Sequence, residues 1–79
     1  MPRPIPLALL RRRRLLTQRQ LAELAGITHA TVVALEKGRG RPQITTMRKV
    51  AGALGVDPAD IAEFRRAIEA EPEPLGLAA

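Results

Sequence analysis

The sequence has no cysteine, tryptophan or tyrosine, one phenylalanine (Phe64) and one histidine (His29). Serine and asparagine are absent as well. Each absence excludes some chemistry. Without cysteine there is no disulfide, no thiolate metal site and no tie to an oxidising compartment. A Ser–His or Cys–His nucleophile cannot be assembled, and a His/Cys zinc site has at most one ligand available. No catalytic residue, metal site or cofactor is therefore expected. Long hydrophobic runs are missing too. The apolar stretch Ile5–Leu10 precedes a run of arginines instead of following a basic region, and it is too short for a signal segment or a membrane span.

What is present is a chain of 79 residues, 46% apolar and almost wholly aliphatic in its filling, the size of one small domain. The formal charge is +5 and the pI near 11.4, a balance that points to a polyanionic partner. The charge is unevenly spread. Residues 1–56 hold eleven basic side chains against Glu23 and Glu36, a net +9, whereas residues 57–79 hold Arg65 and Arg66 against six acids, a net −4. A basic body with an acidic C-terminal end is the better description.

Proline at positions 2, 4 and 6 makes residues 1–5 an extended arm, with Pro6 the first residue of helix 1 over Leu7–Leu15. Leu7, Leu10 and the stem of Arg11 or Arg14 face inward. Thr17 with Gln20 three residues on reads as a capping box opening helix 2, Gln18–Ala25, whose Leu21, Ala22, Leu24 and Ala25 point to the core. Gly26 ends it, and Thr28 caps helix 3, His29–Lys37, which turns Val32 and Leu35 inward before stopping at Gly38. A basic loop, Gly38-Arg39-Gly40-Arg41-Pro42, leads to helix 4, opened by Thr45 or Thr46, with Met47, Val50, Ala51 and Leu54 at helical spacing and Gly55 as the stop. Asp57-Pro58 then begins helix 5, which places Ile61 and Phe64 inward. The globular part is expected over residues 6–66, followed by an acidic tail over 67–79 with no apolar period after Ala70. No segment alternates with period two, so the fold class is all-α.

Gln18–Lys37 carries the decisive pattern. Two short helices joined by a glycine turn need a small residue at their closest approach, and Ala22 supplies it. They need a residue free to take positive φ in the turn, Gly26, and apolar residues on the shared inner face, here Leu21, Ala25, Ile27, Val32 and Leu35. On these residues, with Leu16-Thr17-Gln18, Leu35-Glu36-Lys37-Gly38, Arg41-Pro42 and Leu54-Gly55-Val56, the sequence resembles the helix-turn-helix domain of the phage repressor and Cro (XRE-like) transcription regulators over about residues 6–64. The resemblance implies a five-helix, lambda-repressor-like domain that dimerises on double-stranded DNA, with helix 3 in the major groove and helix 2 across the backbone.

Carried over by position, the resemblance makes Thr28, His29, Ala30, Val33 and Ala34 the face that meets base edges. It assigns phosphate contacts to Gln18, Thr31, Lys37, Arg39, Arg41 and Gln43, and a structural salt bridge to Arg11 with Glu36. Gln18 also suits an anion because helix N-termini present unpaired amides. The sequence departs from the family on the reading face. Gln, Asn, Arg or Lys usually form bidentate pairs with bases there, whereas Ala30, Val33 and Ala34 offer only contacts to thymine methyl groups. Specificity then falls on His29, on thymine contacts and on DNA shape.

Competing readings exist for several features. Four consecutive arginines, Arg11–Arg14, cannot all face DNA from one helix; one pairs with Glu36, one stem packs on the core and two are solvated. Arg39-Gly40-Arg41-Pro42 looks like the core of an AT-hook for a narrow minor groove, or is an ordinary basic loop touching phosphates. Val33 and Ala34 also suit a protein-binding face. Two functions follow: a dimeric cytoplasmic DNA-binding regulator, most simply a repressor, or an antitoxin-like interaction module that autoregulates through the same domain. In the second, the acidic segment engages a protein partner. The dimer contacts are expected from helix 5, the helix 3–4 loop or the tail, including Leu75 and Leu77.

Overall fold

Leu7 and Leu10 stand one helical turn apart and are both buried, which sets the register of the first helix against the rest of the chain. The computed structural model describes residues 3–70; Met1 and Pro2 of the arm and the tail residues 71–79, with Leu75 and Leu77, lie outside the described residues. Five α-helices follow in order: α1 Leu7–Arg13, α2 Gln18–Ala25, α3 His29–Lys37, α4 Ile44–Leu54 and α5 Ala62–Glu69, with a 3-10 turn over Pro58–Asp60 before the last. The fold is all-α, and no β-strand forms among the described residues. The core joins Leu7, Leu21, Val32, Val50, Leu54, Ile61 and Phe64, all essentially inaccessible, with smaller contributions from Leu10, Ala22, Ala25, Leu35, Met47 and Ala51. The sole aromatic ring lies inside.

Helices of seven to eleven residues are marginal on their own, so their ends matter. Four of them close in one way. An amide just past the helix bonds the carbonyl five residues back: Leu16 N–H to Arg11 O at 3.2 Å, and Ile27 N–H to Ala22 O, Arg39 N–H to Ala34 O and Val56 N–H to Ala51 O, each at 3.0 Å. This closure requires a left-handed residue in between. Gly26 (φ 72°) and Gly38 (φ 71°) supply it after α2 and α3, but after α1 the residue is Leu15 at φ 58°. α1 therefore stops at Arg13, two residues earlier than its sequence suggests, because the stop is written with a leucine.

Three other expectations change. Leu24, expected in the core, is 62% exposed. At about 100° per residue, Leu21, Ala25 and Ala22 share an arc of about 100°, and Leu24 lies about 60° beyond its edge. α4 opens at Ile44 with Gln43 as N-cap and no side-chain cap, so Thr45 and Thr46 are helical instead of capping. Pro6 takes the N-cap of α1, at ψ 141°, not its first turn.

The last difference reaches across the chain. Asp57 caps Ala59 N–H at 2.8 Å as its sequence context implies, yet the helix does not continue from Pro58. Ile61 is extended and bridges Ile5 in parallel: Ile5 N–H donates to Asp60 O and Ala62 N–H to Ile5 O, each at 2.8 Å. Those bonds take the Asp60 carbonyl and the Ala62 amide that a continuous helix would use. Glu63 on α5 then accepts from Leu7 N–H at 2.9 Å, capping the start of α1 where proline has no side-chain acceptor. Ile5, placed in the arm by its sequence, is half-buried against the core.

Leu15 combines a left-handed backbone with 89% exposure. A non-glycine residue there carries roughly 1–2 kcal/mol of steric cost, part of which glycine returns in unfolded-chain entropy. Leu15→Gly is expected to stabilise the protein by about 0.5–1 kcal/mol in urea denaturation, and an unchanged or lowered midpoint would contradict this account.

Candidate nucleic-acid interface

α2 and α3 are held by local chemistry before any tertiary contact. Thr17 Oγ1 accepts from Gln20 N–H at 3.0 Å and Gln20 Oε1 accepts from Thr17 N–H at 2.8 Å, a complete capping box. Gly26 makes the turn. Thr28 Oγ1 accepts from Thr31 N–H at 3.1 Å, and the two hydroxyls lie 2.7 Å apart, so both threonines are partly occupied in starting α3. With Val32 and Leu35 buried, the other side of α3 carries exposed Ala30 and half-buried His29, Val33 and Ala34. Four of the five residues assigned to base contacts thus share one side of the helix, and the fifth, exposed Thr28, is its N-cap.

The helix pair is tied to α1 through one carboxylate. Arg11 Nε donates to Glu36 Oε2, Arg11 Nη2 to Glu36 Oε1 at 3.2 Å and Arg11 Nη1 to Leu16 O at 2.9 Å. Gln18 Nε2 donates to Glu36 Oε1 at 2.9 Å. His29 Nε2 lies 3.4 Å from Gln18 Oε1, at the outer edge of hydrogen-bond distance. The Arg11 and Glu36 side chains are only 11% and 8% exposed. Burial pushes the Glu36 carboxyl up, but hydrogen bonds from Arg11 and Gln18 and the charges of Arg11 and Arg12 outweigh it and hold the group below its ordinary 4.5. Arg12, Arg13 and Arg14 remain exposed.

A cleft opens where α3 meets the following loop. Ala30, Thr31 and Ala34 form one wall and Arg39, Gly40, Arg41, Pro42 and Gln43 the other, with Thr46 of α4 between them. Thr31, Arg39, Arg41 and Gln43 therefore come together beside the outward side of α3. Lys37 lies apart, lining a neighbouring groove with Arg39, Arg41, Glu63 and Arg66. Gln18 sits on the other flank, next to His29. The sequence reads Thr45 or Thr46 as the opener of helix 4 and gives Thr46 no site role; it reaches the cleft from inside α4, which opens at Ile44. Among the described residues no group of three or more His, Cys, Asp or Glu could hold a metal ion, and no helix is long and apolar enough to cross a membrane.

Glu36→Gln leaves Arg11 nearly buried without its counter-charge, a change expected to cost about 3 kcal/mol at neutral pH. The acid dependence has a definite sign. Because the folded-state carboxyl titrates below its unfolded value, its contribution is fully present above the unfolded pKa of 4.5 and is lost as pH falls through the lower folded value. The gap between the native protein and Glu36→Gln in urea denaturation should therefore narrow below about pH 4.5. A gap independent of pH would refute the ionised pair.

The arrangement agrees with comparisons to known proteins. Residues 7–61 match the Helix-turn-helix family. An HTH-type transcriptional regulator of Methanothermobacter thermautotrophicus is 50% identical over 40 residues, covering 51% of this chain and 58% of the relative. The immunity repressor protein of Bacillus phage phi105 is 43% identical over 47 residues, 60% of this chain and 33% of the relative. The HTH-type transcriptional regulator RghRB of Bacillus subtilis is 40% identical over 67 residues, 84% of this chain and 48% of the relative. The matched segments thus span between about a third and three fifths of these relatives' lengths. With a capped α2, a left-handed glycine turn and an outward-facing α3 inside the matched stretch, the chain belongs to the helix-turn-helix family of DNA-binding transcription regulators typified by phage repressor and Cro.

Proposed function

We propose that the chain acts as a dimeric, sequence-specific repressor that places α3 in the major groove of DNA and α2 across the backbone. The observation that carries this reading is the composition of the outward side of α3. It holds small and apolar side chains beside His29, and it is flanked on one edge by the cleft with Arg39, Arg41 and Gln43. Small residues let the helix backbone approach the base edges closely. The cations on the cleft wall stand where a phosphate chain bordering the groove would run. The kinship with a phage immunity repressor favours repression over activation.

In this reading the affinity comes mainly from phosphates. Arg39 and Arg41 supply charge, Lys37, Thr31 and Gln43 supplement it, and the start of α2 presents amides at Gln18 suited to an anion. Thr28 and His29 offer hydrogen bonds to bases, and Ala30, Val33 and Ala34 offer thymine methyl contacts. Two copies would read half-sites about 34 Å apart. A standard interface needs roughly 800 Å² per partner, a large share of so small a surface, so the dimer is weak alone and tightened by DNA. Exposed Ile68 on α5 is available for it.

Binding should weaken steeply with salt, with log K against log salt falling at a slope of about −4 to −8 for the dimer; a flat response contradicts the reading. Arg41→Ala should weaken all sequences alike and reduce that slope by about one unit. His29→Ala should instead cost roughly 1–3 kcal/mol at one base position and relax discrimination there. Selected-site binding with both variants separates the two roles, and unchanged discrimination in His29→Ala would remove His29 from the reading face.

A further inference from the structure

The hydrogen-bond chain that starts at Glu36 ends on His29, and its chemistry constrains which ring nitrogen of His29 carries a hydrogen. An ionised carboxylate only accepts, so the end of the Gln18 amide that lies 2.9 Å from Glu36 Oε1 must be the NH₂ group. A flipped amide would set oxygen against oxygen at that distance. Arg11 occupies the same carboxylate with two donors, which holds the Glu36 side chain still. The amide carbonyl is thereby turned toward His29 Nε2, 3.4 Å away. A carbonyl also only accepts, so this contact is favourable when Nε2 bears the hydrogen.

We infer that Glu36, acting through Gln18, holds neutral His29 in its Nε2–H tautomer. Nδ1 is then left as a lone-pair acceptor, and His29 selects a base that presents an amino group, adenine N6 or cytosine N4. This rests on the proposed placement of α3 in the major groove. There adenine and cytosine offer exocyclic donors, whereas guanine offers only the N7 and O6 acceptors. No hydrogen bond to Nδ1 forms among the described residues, so that lone pair is uncommitted in the free protein. Gln18 and Glu36 are positioning residues in this scheme: neither needs to touch a base, yet both determine what His29 can recognise. The buried ion pair that ties α1 to α3 thus extends to the polar reader on an otherwise apolar face.

Two measurements test it. Long-range ¹H–¹⁵N spectra of the free protein in mildly alkaline buffer should show His29 Nε2 protonated and Nδ1 unprotonated, and Gln18→Met should yield a mixture of tautomers. An Nδ1–H tautomer or an imidazolium in the native protein overturns the inference, as does an unshifted tautomer in a folded Gln18→Met. On DNA, the base whose discrimination His29→Ala abolishes should be adenine or cytosine. Replacing it with the analogue that lacks only the amino group (purine, or pyrimidin-2-one) should weaken native binding about tenfold, while 7-deaza-adenine should not. Sensitivity to 7-deazaguanine at that position would overturn the proposal. If no operator position responds to His29→Ala, the groove reading itself fails while the spectra still report the tautomer, so the two failures are distinct.

Discussion

One carboxylate organises the helix-turn-helix half of the molecule. Glu36, near the end of α3, accepts from two Arg11 donors and from Gln18, the first residue of α2. Three helices are thereby referenced to one point. The pair is nearly buried, where a charge is tolerable only if its hydrogen-bonding capacity is met. Arg11 meets that demand on its own side by also bonding Leu16 O, which belongs to the closing turn of α1. Removing any member would disturb the crossing of α2 and α3 as well as the pair, so the fold and the candidate reading surface depend on the same contact.

The helix ends form a second constraint. α1 to α4 all close with a return bond to the carbonyl five residues back, and three of the four use glycine for the left-handed residue. The exception, Leu15, bears backbone strain and is almost fully solvent-exposed. Its cost is borne by neighbours: Leu16 packs on the core and its carbonyl receives Arg11. At the other end of the domain, the Ile5–Ile61 bridge and the Glu63 bond to Leu7 N–H close the chain on itself. These contacts join α1 to α5 across the whole sequence, and they anchor the first helix from which Arg11 projects.

The charge distribution then acquires a location. Arg39, Arg41 and Gln43 stand across a cleft from Ala30, Thr31 and Ala34, while Gln18 and His29 lie on the other flank of α3. A DNA-binding regulator needs both an electrostatic rim and a surface that contacts bases, and the proposed reading assigns these roles to two adjacent surfaces. The rim is supplied mostly by a loop whose left-handed glycines, Gly38 and Gly40, let it turn sharply out of α3. The middle of α3 carries methyl-bearing side chains, so under the proposed groove placement polar recognition would be concentrated at the N-terminal end of the helix.

Much of this was legible in the sequence. Thr17 with Gln20, Thr28, Gly26 and Gly38 mark the ends of α2 and α3 through chemistry confined to a few neighbouring residues, and those two helices fall where the sequence places them. The spacing of Met47, Val50, Ala51 and Leu54 likewise gives the buried side of α4, because burial follows helical periodicity. Other features needed tertiary structure. Leu15 as a left-handed stop has no local signal, since leucine is an ordinary helix former and only the packed return of Leu16 selects that conformation. The break between Pro58–Asp60 and α5 exists because Ile5, more than fifty residues away, takes the backbone bonds of Asp60 and Ala62. The alignment of Gln18 between Glu36 and His29 belongs to the same class: the resemblance paired Arg11 with Glu36, but the direction of an amide is decided only when acceptors from different helices meet around it. Sequence determined the helix-turn-helix and its cysteine-free, basic character, because those depend on composition and on bonds between near neighbours. Tertiary structure decided how α1 and α5 end and begin, and which way the polar groups behind α3 point.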